Sequence, residues 1–163
     1  MRLSLIRDEV LNNIKKYDAG PDDLYINIRS GEIFIDVPHA LYSQPPLCFY
    51  QKIIKENKYK DIYILSNGHE NPVVDELLKI YPKIKYIHGS LEYDTSVIIN
   101  EFNFVMPVST FPMTLIWLNY NLKNLYIYKM MDYKYFKTID FNFRYTNYAI
   151  HIMKPSENYF NIM

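Results

Sequence analysis

One of the four arginines in the chain directly follows a short apolar stretch, in the segment NIRSGEIF. The guanidinium of Arg29 presents a fork of donors that matches phosphate geometry and stays charged at any working pH. The Ser30-Gly31 turn after it would let a ligand approach the backbone closely, because glycine has no side chain. The segment is therefore a candidate anion site. The alternative interpretation is a surface arginine that pairs with Glu32 or Asp36.

A second candidate segment, VSTF, closes another apolar stretch. Ser109 or Thr110 is expected to cap a helix that starts there, and the N–H groups of its first turn would form an anion site. Capping alone would also explain these residues. An arginine and a hydroxyl-bearing helix start at one sheet edge, however, would suit a diphosphate better than either feature alone.

Asp94 could recognise a base. The edge of guanine offers two donors, the ring N–H and the exocyclic amine, and a carboxylate offers two acceptors. Uracil offers only one donor there, so such an aspartate would favour guanine. The alternative is a capping or dipole role at the start of a helix.

The remaining polar residues point less clearly to chemistry. Ser66 and Asn67 follow a strand in LSNGHE, but one glycine does not make a phosphate loop. This segment is similar to the second motif of HAD phosphatases, yet no aspartate nucleophile motif follows the first strand. The four histidines lack metal-ligand spacing, so no metal site is predicted. Cys48, the only cysteine, is expected to be a buried filler within PPLCFY.

Hydrophobic periodicity predicts the elements that position these residues. The predicted strands cover residues 24–28, 61–65, 84–88, 104–108 and 124–128. The predicted helices cover residues 4–17, 46–57, 71–81, 92–102 and 109–120, and Asn71 is expected to cap the third of them before Pro72. A short extended piece is possible at IFI, and the tail from about residue 130 is expected to be irregular or to pack against another surface.

Strands alternating with helices predict an α/β fold, a Rossmann-like parallel sheet of about five strands with helices on both faces. Ligands bind such sheets at the carboxyl ends of the strands, so the candidate segments should converge there. The length of 163 residues predicts one domain, residues 1–163, with a connecting helix (1–19), a core (20–128) and a tail (129–163).

Composition and charge exclude some function classes. Basic and acidic residues balance at 18 each, so no overall field favours nucleic acid or an anionic membrane. No signal peptide and no membrane span is apparent in the sequence, so a soluble, cytoplasmic chain is the expectation.

Four segments in order, YINIRSGEIF, YSQPPLCFYQKII, ILSNGHENPVVDEL and YDTSVIINEFNFVMPVSTF, resemble the donor domain of the fucosyltransferase superfamily. These are GT-B glycosyltransferases related to protein O-fucosyltransferases and to α-1,2- and α-1,6-fucosyltransferases. The similarity covers roughly residues 20–128, and the tail MKPSENYF is similar to the tails of some members.

The resemblance implies roles for individual residues. Arg29 matches the arginine of the family's H-x-R motif and would bind the β-phosphate of a GDP-sugar during catalysis. Asn27 stands in place of the histidine and Glu32 in place of an aspartate; Asn27 can hydrogen-bond but cannot offer the same proton chemistry. Asp94 matches the guanine-reading aspartate. The Ser/Thr-Phe motif, which would hold the phosphates, is matched by Ser109, Thr110 and Phe111.

The implied reaction is inverting transfer of fucose from GDP-fucose to a hydroxyl of a glycan or protein acceptor, without a metal or other cofactor. Glu32 is a carboxylate near the donor that could act as a base. A GT-B enzyme needs two such domains, so an acceptor domain preceding residue 1, or a partner subunit, is expected. The alternative is a non-catalytic nucleotide or nucleotide-sugar binding module, or an inactive fragment, that acts through a protein partner.

Overall fold

A computed structural model describes residues 3–13, 20–34, 44–68, 70–128 and 149–153 of the chain. Six strands form one sheet: β1 (Leu24–Ile28), β2 (Ile62–Ser66), β3 (Lys85–Ile87), β4 (Asn103–Met106), β5 (Asn124–Tyr128) and β6 (Ala149–Met153). Five α-helices accompany it: α1 (Leu3–Asn13), α2 (Leu47–Glu56), α3 (Pro72–Ile80), α4 (Leu91–Asn100) and α5 (Thr110–Leu115). Short 3₁₀ helices cover Gly31–Phe34 and Ile116–Leu118. Within the described segments, no helix is long and apolar enough to cross a membrane.

The sheet is parallel throughout and has the strand order β3-β2-β1-β4-β5-β6. The chain moves outward from β1 to β2 and β3, then returns to place β4 on the other side of β1. Ile26, at the centre of β1, is paired with Ile64 of β2 and Val105 of β4. The predicted α/β Rossmann-like fold is confirmed, and the reversal of strand order falls between β1 and β4.

Apolar side chains cover both faces of the sheet. On one face, Ile26 packs in a cluster with residues of α2 and α3, among them Phe49 and Val74. On the other face, Tyr25 packs in a cluster that includes Val97 of α4. Burial on both faces explains why the strands appear in the sequence as continuous apolar runs rather than as alternating patterns.

The tail contributes a strand that the sequence analysis did not predict. Residues 149–153 form β6, which pairs in parallel with β5. The rest of the tail lies outside the described residues, as does the last part of the predicted helix 4–17. The extended piece considered at IFI was also wrong, because Ile33 and Phe34 belong to the 3₁₀ helix that follows the turn at Gly31.

Cys48 is exposed, which corrects the expectation that it is a buried filler. The buried residues of α2 are Phe49, Tyr50 and Ile53, which lie on one side of the helix. Cys48 projects from the opposite side, because it is one residue, about 100° of helical rotation, before Phe49 and further still from the centre of that face. The sequence neighbours in PPLCFY are therefore not all buried, because α2 packs against the sheet with one side only.

A buried carboxyl group lies at the amino end of the sheet, opposite the carboxyl ends of the strands. Glu101 is fully buried just before β4, and Asp23 is buried just before β1. Neither oxygen of Glu101 has a hydrogen-bond partner in the described part of the chain. Burial, with a smaller contribution from the neighbouring Asp23 charge, raises the pKa of Glu101 to about 9.

This raised pKa predicts a stability that depends on pH. The folded protein holds the Glu101 proton more tightly than the unfolded chain, whose pKa is near 4.5. The contribution of the Glu101 proton to the free energy of unfolding is therefore complete below about pH 4.5. It is lost as pH rises towards 9, by at most about 1.4 kcal/mol per pH unit. Glu101→Gln cannot lose a proton, so its free energy of unfolding should exceed the wild-type value increasingly from pH 5 to pH 8.5.

Urea unfolding at pH 5, 7 and 8.5 measures that difference. Glu56→Gln is the control, because the Glu56 side chain is 61% exposed and forms an ion pair with Lys52 at 3.9 Å on the helix surface. It should keep the pH dependence of the wild type. A constant difference between Glu101→Gln and the wild type at all three pH values would contradict the prediction.

Candidate functional site

The carboxyl ends of β1 and β4 are neighbours at the point where the strand order reverses. Open α/β sheets bind ligands in the crevice at such a point. Arg29 follows the last residue of β1, and Val108 lies two residues beyond the end of β4. The two residues line one small pocket of about 10 Å³, together with Tyr50 and Pro107. The structure therefore brings the NIRS and VSTF segments together, as the sequence analysis predicted from the topology rule.

The turn after β1 is held by side chains from the loop after β2. The backbone N–H of Ser30 donates to Oδ1 of Asn67 at 3.0 Å. The carbonyl of Arg29 accepts from Nδ2 of Asn71 at 2.7 Å. Ser30 is fully buried, and its hydroxyl has no hydrogen-bond partner among the described residues. Gly31 then turns the chain with a φ of 66°, in the left-handed region.

Two predicted residues on the β2 side have contacts within the protein. Ser66 is buried and donates its hydroxyl to the carbonyl of Gly68 at 3.1 Å. Asn67 contributes the acceptor for Ser30 described above. The carbonyl of Ser66 is 3.1 Å from Nδ1 of His88, which must be the protonated nitrogen because a carbonyl can only accept. These bonds join the ends of β1, β2 and β3.

The β4 side differs in part from the prediction. Ser109 occupies the N-cap position of α5, but its hydroxyl makes no capping hydrogen bond. The helix has only six residues, so its dipole adds little to anion binding. Thr110 and Phe111 are exposed at its first turn, Phe111 to 38%. What this segment offers to a ligand is its hydroxyl groups, rather than a long helix pointing at the site.

Asp94 lies in the first turn of α4 without capping that helix. The cap is Ser90, whose hydroxyl accepts from the N–H of Tyr93 at 3.3 Å. Oδ1 of Asp94 is buried and has no hydrogen-bond partner in the described part of the chain. Burial raises the pKa of Asp94, and the nearby His88 partly offsets this. An acceptor buried in this way is favourable only if a donor reaches it.

Spacing along the sheet edge separates the candidates into two groups. Arg29 and Ser109 follow adjacent strands, β1 and β4. Asp94 follows β3, two strands from β1, which corresponds to roughly 10 Å at the usual distance between strands. Asn27 lies within β1, half-buried and paired with Leu65 of β2. Glu32 lies in the 3₁₀ helix after the turn, but its side chain is outside the described part of the structure.

The described residues contain no group of three or more histidine, cysteine or acidic side chains that could hold a metal ion. The structure adds two residues that sequence reasoning did not assign to the site, Asn71 and Gln44. Asn71 was predicted as the cap of α3, and it does accept from the N–H of Val73 at 2.9 Å. Only the tertiary structure shows that the same side chain reaches Arg29, because the two residues are 42 positions apart.

The turn geometry predicts that Gly31→Ala destabilises the protein by about 1 kcal/mol. The nearest atom to an added Cβ would be Oε2 of Glu70 at 3.7 Å, so the cost comes from the left-handed backbone and not from a clash. Gly68→Ala is the matched control. Its Cβ would also be in ordinary contact, 3.5 Å from Cβ of Ser30, and Gly68 does not have a positive φ.

Urea unfolding of both variants tests this directly. Gly68→Ala should be close to the wild type or slightly more stable, since alanine restricts the unfolded chain. Equal losses of stability in the two variants would contradict the assigned role of the Gly31 backbone.

Searches of protein-family models, curated proteins and solved structures with this chain find no match. The resemblance to the fucosyltransferase superfamily therefore stays a prediction from the quoted segments. The fold and the positions of the candidate residues are the observations on which a function can be argued.

Proposed function

We propose that this chain binds a GDP-sugar, with GDP-fucose as the leading candidate, as the donor domain of a fucosyltransferase-like GT-B glycosyltransferase. The observation that carries the proposal is the location of Arg29 beside the VSTF segment at the reversal of strand order. A diphosphate would lie in this crevice, across the carboxyl ends of β1 and β4.

The diphosphate needs charge-assisted hydrogen bonds to replace its hydration. Arg29 supplies two parallel donors in a geometry that fits one phosphate group. The hydroxyl of Ser109, which makes no capping bond, would supply another donor from the segment after β4. Thr110 and the exposed ring of Phe111 follow it in the first turn of α5.

The base would lie further along the edge, towards β3. Asp94 has a buried oxygen without a hydrogen-bond partner among the described residues, and burial raises its pKa. The ring N–H and exocyclic amine of guanine would supply two donors to the two carboxylate oxygens. Binding of guanine would then favour the ionised form of Asp94, and uracil could satisfy only one oxygen.

The transfer reaction is the one that the resemblance to the fucosyltransferase superfamily implies. The oxygen of an acceptor hydroxyl forms a bond to C1 of the sugar, on the face opposite the diphosphate, while the bond from C1 to the β-phosphate oxygen breaks. The electron pair of that bond stays on the phosphate, where Arg29 stabilises the added negative charge. The hydroxyl proton passes to a base, and Glu32 is a carboxylate in the same turn. The acceptor site is expected from a second domain or subunit.

We predict that GDP and GDP-fucose raise the melting temperature of the protein, whereas UDP and ADP do so much less. Ligand at a hundred times its dissociation constant adds about 2.7 kcal/mol, which corresponds to roughly 5–10 °C for a chain of this size. Arg29→Ala should abolish the shift. Arg29→Lys should retain only part of it, because lysine keeps the charge but loses the fork.

Two further variants separate base recognition from charge. Asp94→Asn should reduce the preference for GDP over UDP, because the amide replaces one acceptor with a donor. Lys79→Ala removes an exposed cation at the end of α3 and should leave all shifts unchanged. No shift with any nucleotide from folded wild-type protein would overturn the proposal. GDP binding without hydrolysis or transfer of GDP-fucose, even with an acceptor domain added, would instead favour the non-catalytic binding module.

A further inference from the structure

The peptide unit between Arg29 and Ser30 is hydrogen-bonded to a side chain on each side. Its carbonyl accepts from Nδ2 of Asn71 at 2.7 Å, and its N–H donates to Oδ1 of Asn67 at 3.0 Å. The two groups point in opposite directions, because a trans peptide is planar and no cis bond occurs among the described residues. Two asparagines, four positions apart in one loop, therefore fix the orientation of a single peptide plane.

This peptide lies just beyond the end of a strand. β1 ends at Ile28, so the Arg29–Ser30 peptide belongs to the turn that follows it. Ser30 is fully buried, and a buried peptide group without partners would cost free energy. The side chains of Asn67 and Asn71 supply hydrogen-bond partners to both groups of this peptide and thereby fix the conformation of the turn.

Asn71 uses its whole amide group. Oδ1 accepts from the N–H of Val73, and Nδ2 donates both to Arg29 and to Oε1 of Gln44, at 2.6 Å. Because a carbonyl only accepts and a backbone N–H only donates, only one orientation of the amide satisfies these partners. Gln44 donates in turn to the hydroxyl of Tyr50 at 3.0 Å. Asn71 is fully buried, so water does not compete for these bonds.

We propose that Asn71 and Asn67 are positioning residues for Arg29: they clamp the Arg29–Ser30 peptide so that the guanidinium is directed at the diphosphate before the ligand arrives. This inference rests on the proposed function. The orientation of the peptide sets the backbone angles on either side of it, and hence the direction in which the Arg29 side chain leaves the sheet. A loosened peptide would let the guanidinium sample other positions and weaken phosphate binding.

Asn71→Ser is the decisive variant, because it separates the clamp from the helix cap. Serine is as good an N-cap as asparagine and can still accept from the N–H of Val73. It is too short to donate to Arg29 or Gln44, and it adds no charge. Asn57→Ser is the matched control: Nδ2 of Asn57 also donates to a backbone carbonyl, that of Ile53 at 2.8 Å, but at the far end of α2.

Calorimetric or NMR titration with GDP and with guanosine then tests the clamp. We expect Asn71→Ser to weaken GDP about five- to tenfold, the usual effect of one hydrogen bond, and to leave guanosine unchanged. In the Arg29→Ala background the same substitution should have no further effect on GDP, because the clamp acts through Arg29. Asn57→Ser should bind both ligands like the wild type.

Hydrogen exchange at the Ser30 amide tests the other half of the clamp without any ligand. Protection of this amide in the wild type, reduced by Asn67→Ala and kept by Asn67→Asp, supports the clamp, because aspartate keeps the acceptor. An unprotected amide in the wild type overturns it.

Each remaining outcome of the titrations also decides the matter. Unchanged GDP affinity in Asn71→Ser overturns the positioning role but leaves the proposed function standing. Equal losses for GDP and guanosine also overturn it, because they indicate a general structural effect. Failure of the folded wild-type protein to bind GDP overturns the proposed function, and the positioning inference fails with it.

Discussion

The parallel pairing of β1 with both β2 and β4 is the constraint on which the rest of the structure depends. A strand in this position has no solvent-exposed edge, and β1 is accordingly buried at every position except Asn27. Helices must cover both faces, so the chain has to cross over between successive strands. The reversal of strand order between β1 and β4 then places Arg29 beside the segment that follows β4.

Asparagine side chains form hydrogen bonds with backbone groups in the loops at both ends of the sheet. At the carboxyl end, Asn67 and Asn71 hold the turn after β1. At the amino end, Asn103 donates to the carbonyl of Asp23 at 2.8 Å. Asn119, which is fully buried, donates to the carbonyl of Glu101 at 2.8 Å. The amide carries donors and an acceptor on a short, neutral side chain, so it can satisfy buried loop peptides without burying a charge.

Each end of the sheet contains a carboxyl group with a buried oxygen that has no hydrogen-bond partner among the described residues. At the amino end, burial keeps Glu101 protonated at neutral pH, so the group is tolerated without a counter-ion. At the carboxyl end, the buried oxygen of Asp94 lies in the first turn of α4 and has no hydrogen-bond partner among the described residues. The same chemistry, a carboxyl deprived of donors, thus has a structural interpretation at one edge and a recognition interpretation at the other.

Local sequence signals were sufficient for much of this fold. Five short apolar runs determined the first five strands, and Asn71 before Pro72 determined the start of α3, because these depend on burial and on neighbouring backbone groups. Strand β6, the exposed side of Cys48 and the clamp at Arg29 depended instead on contacts between distant parts of the chain. The sequence by itself identified Arg29 and the VSTF segment as candidates whose chemistry suits a diphosphate. Only the tertiary structure decided how their backbone is held, because a hydrogen bond across 42 residues leaves no periodic trace in the sequence.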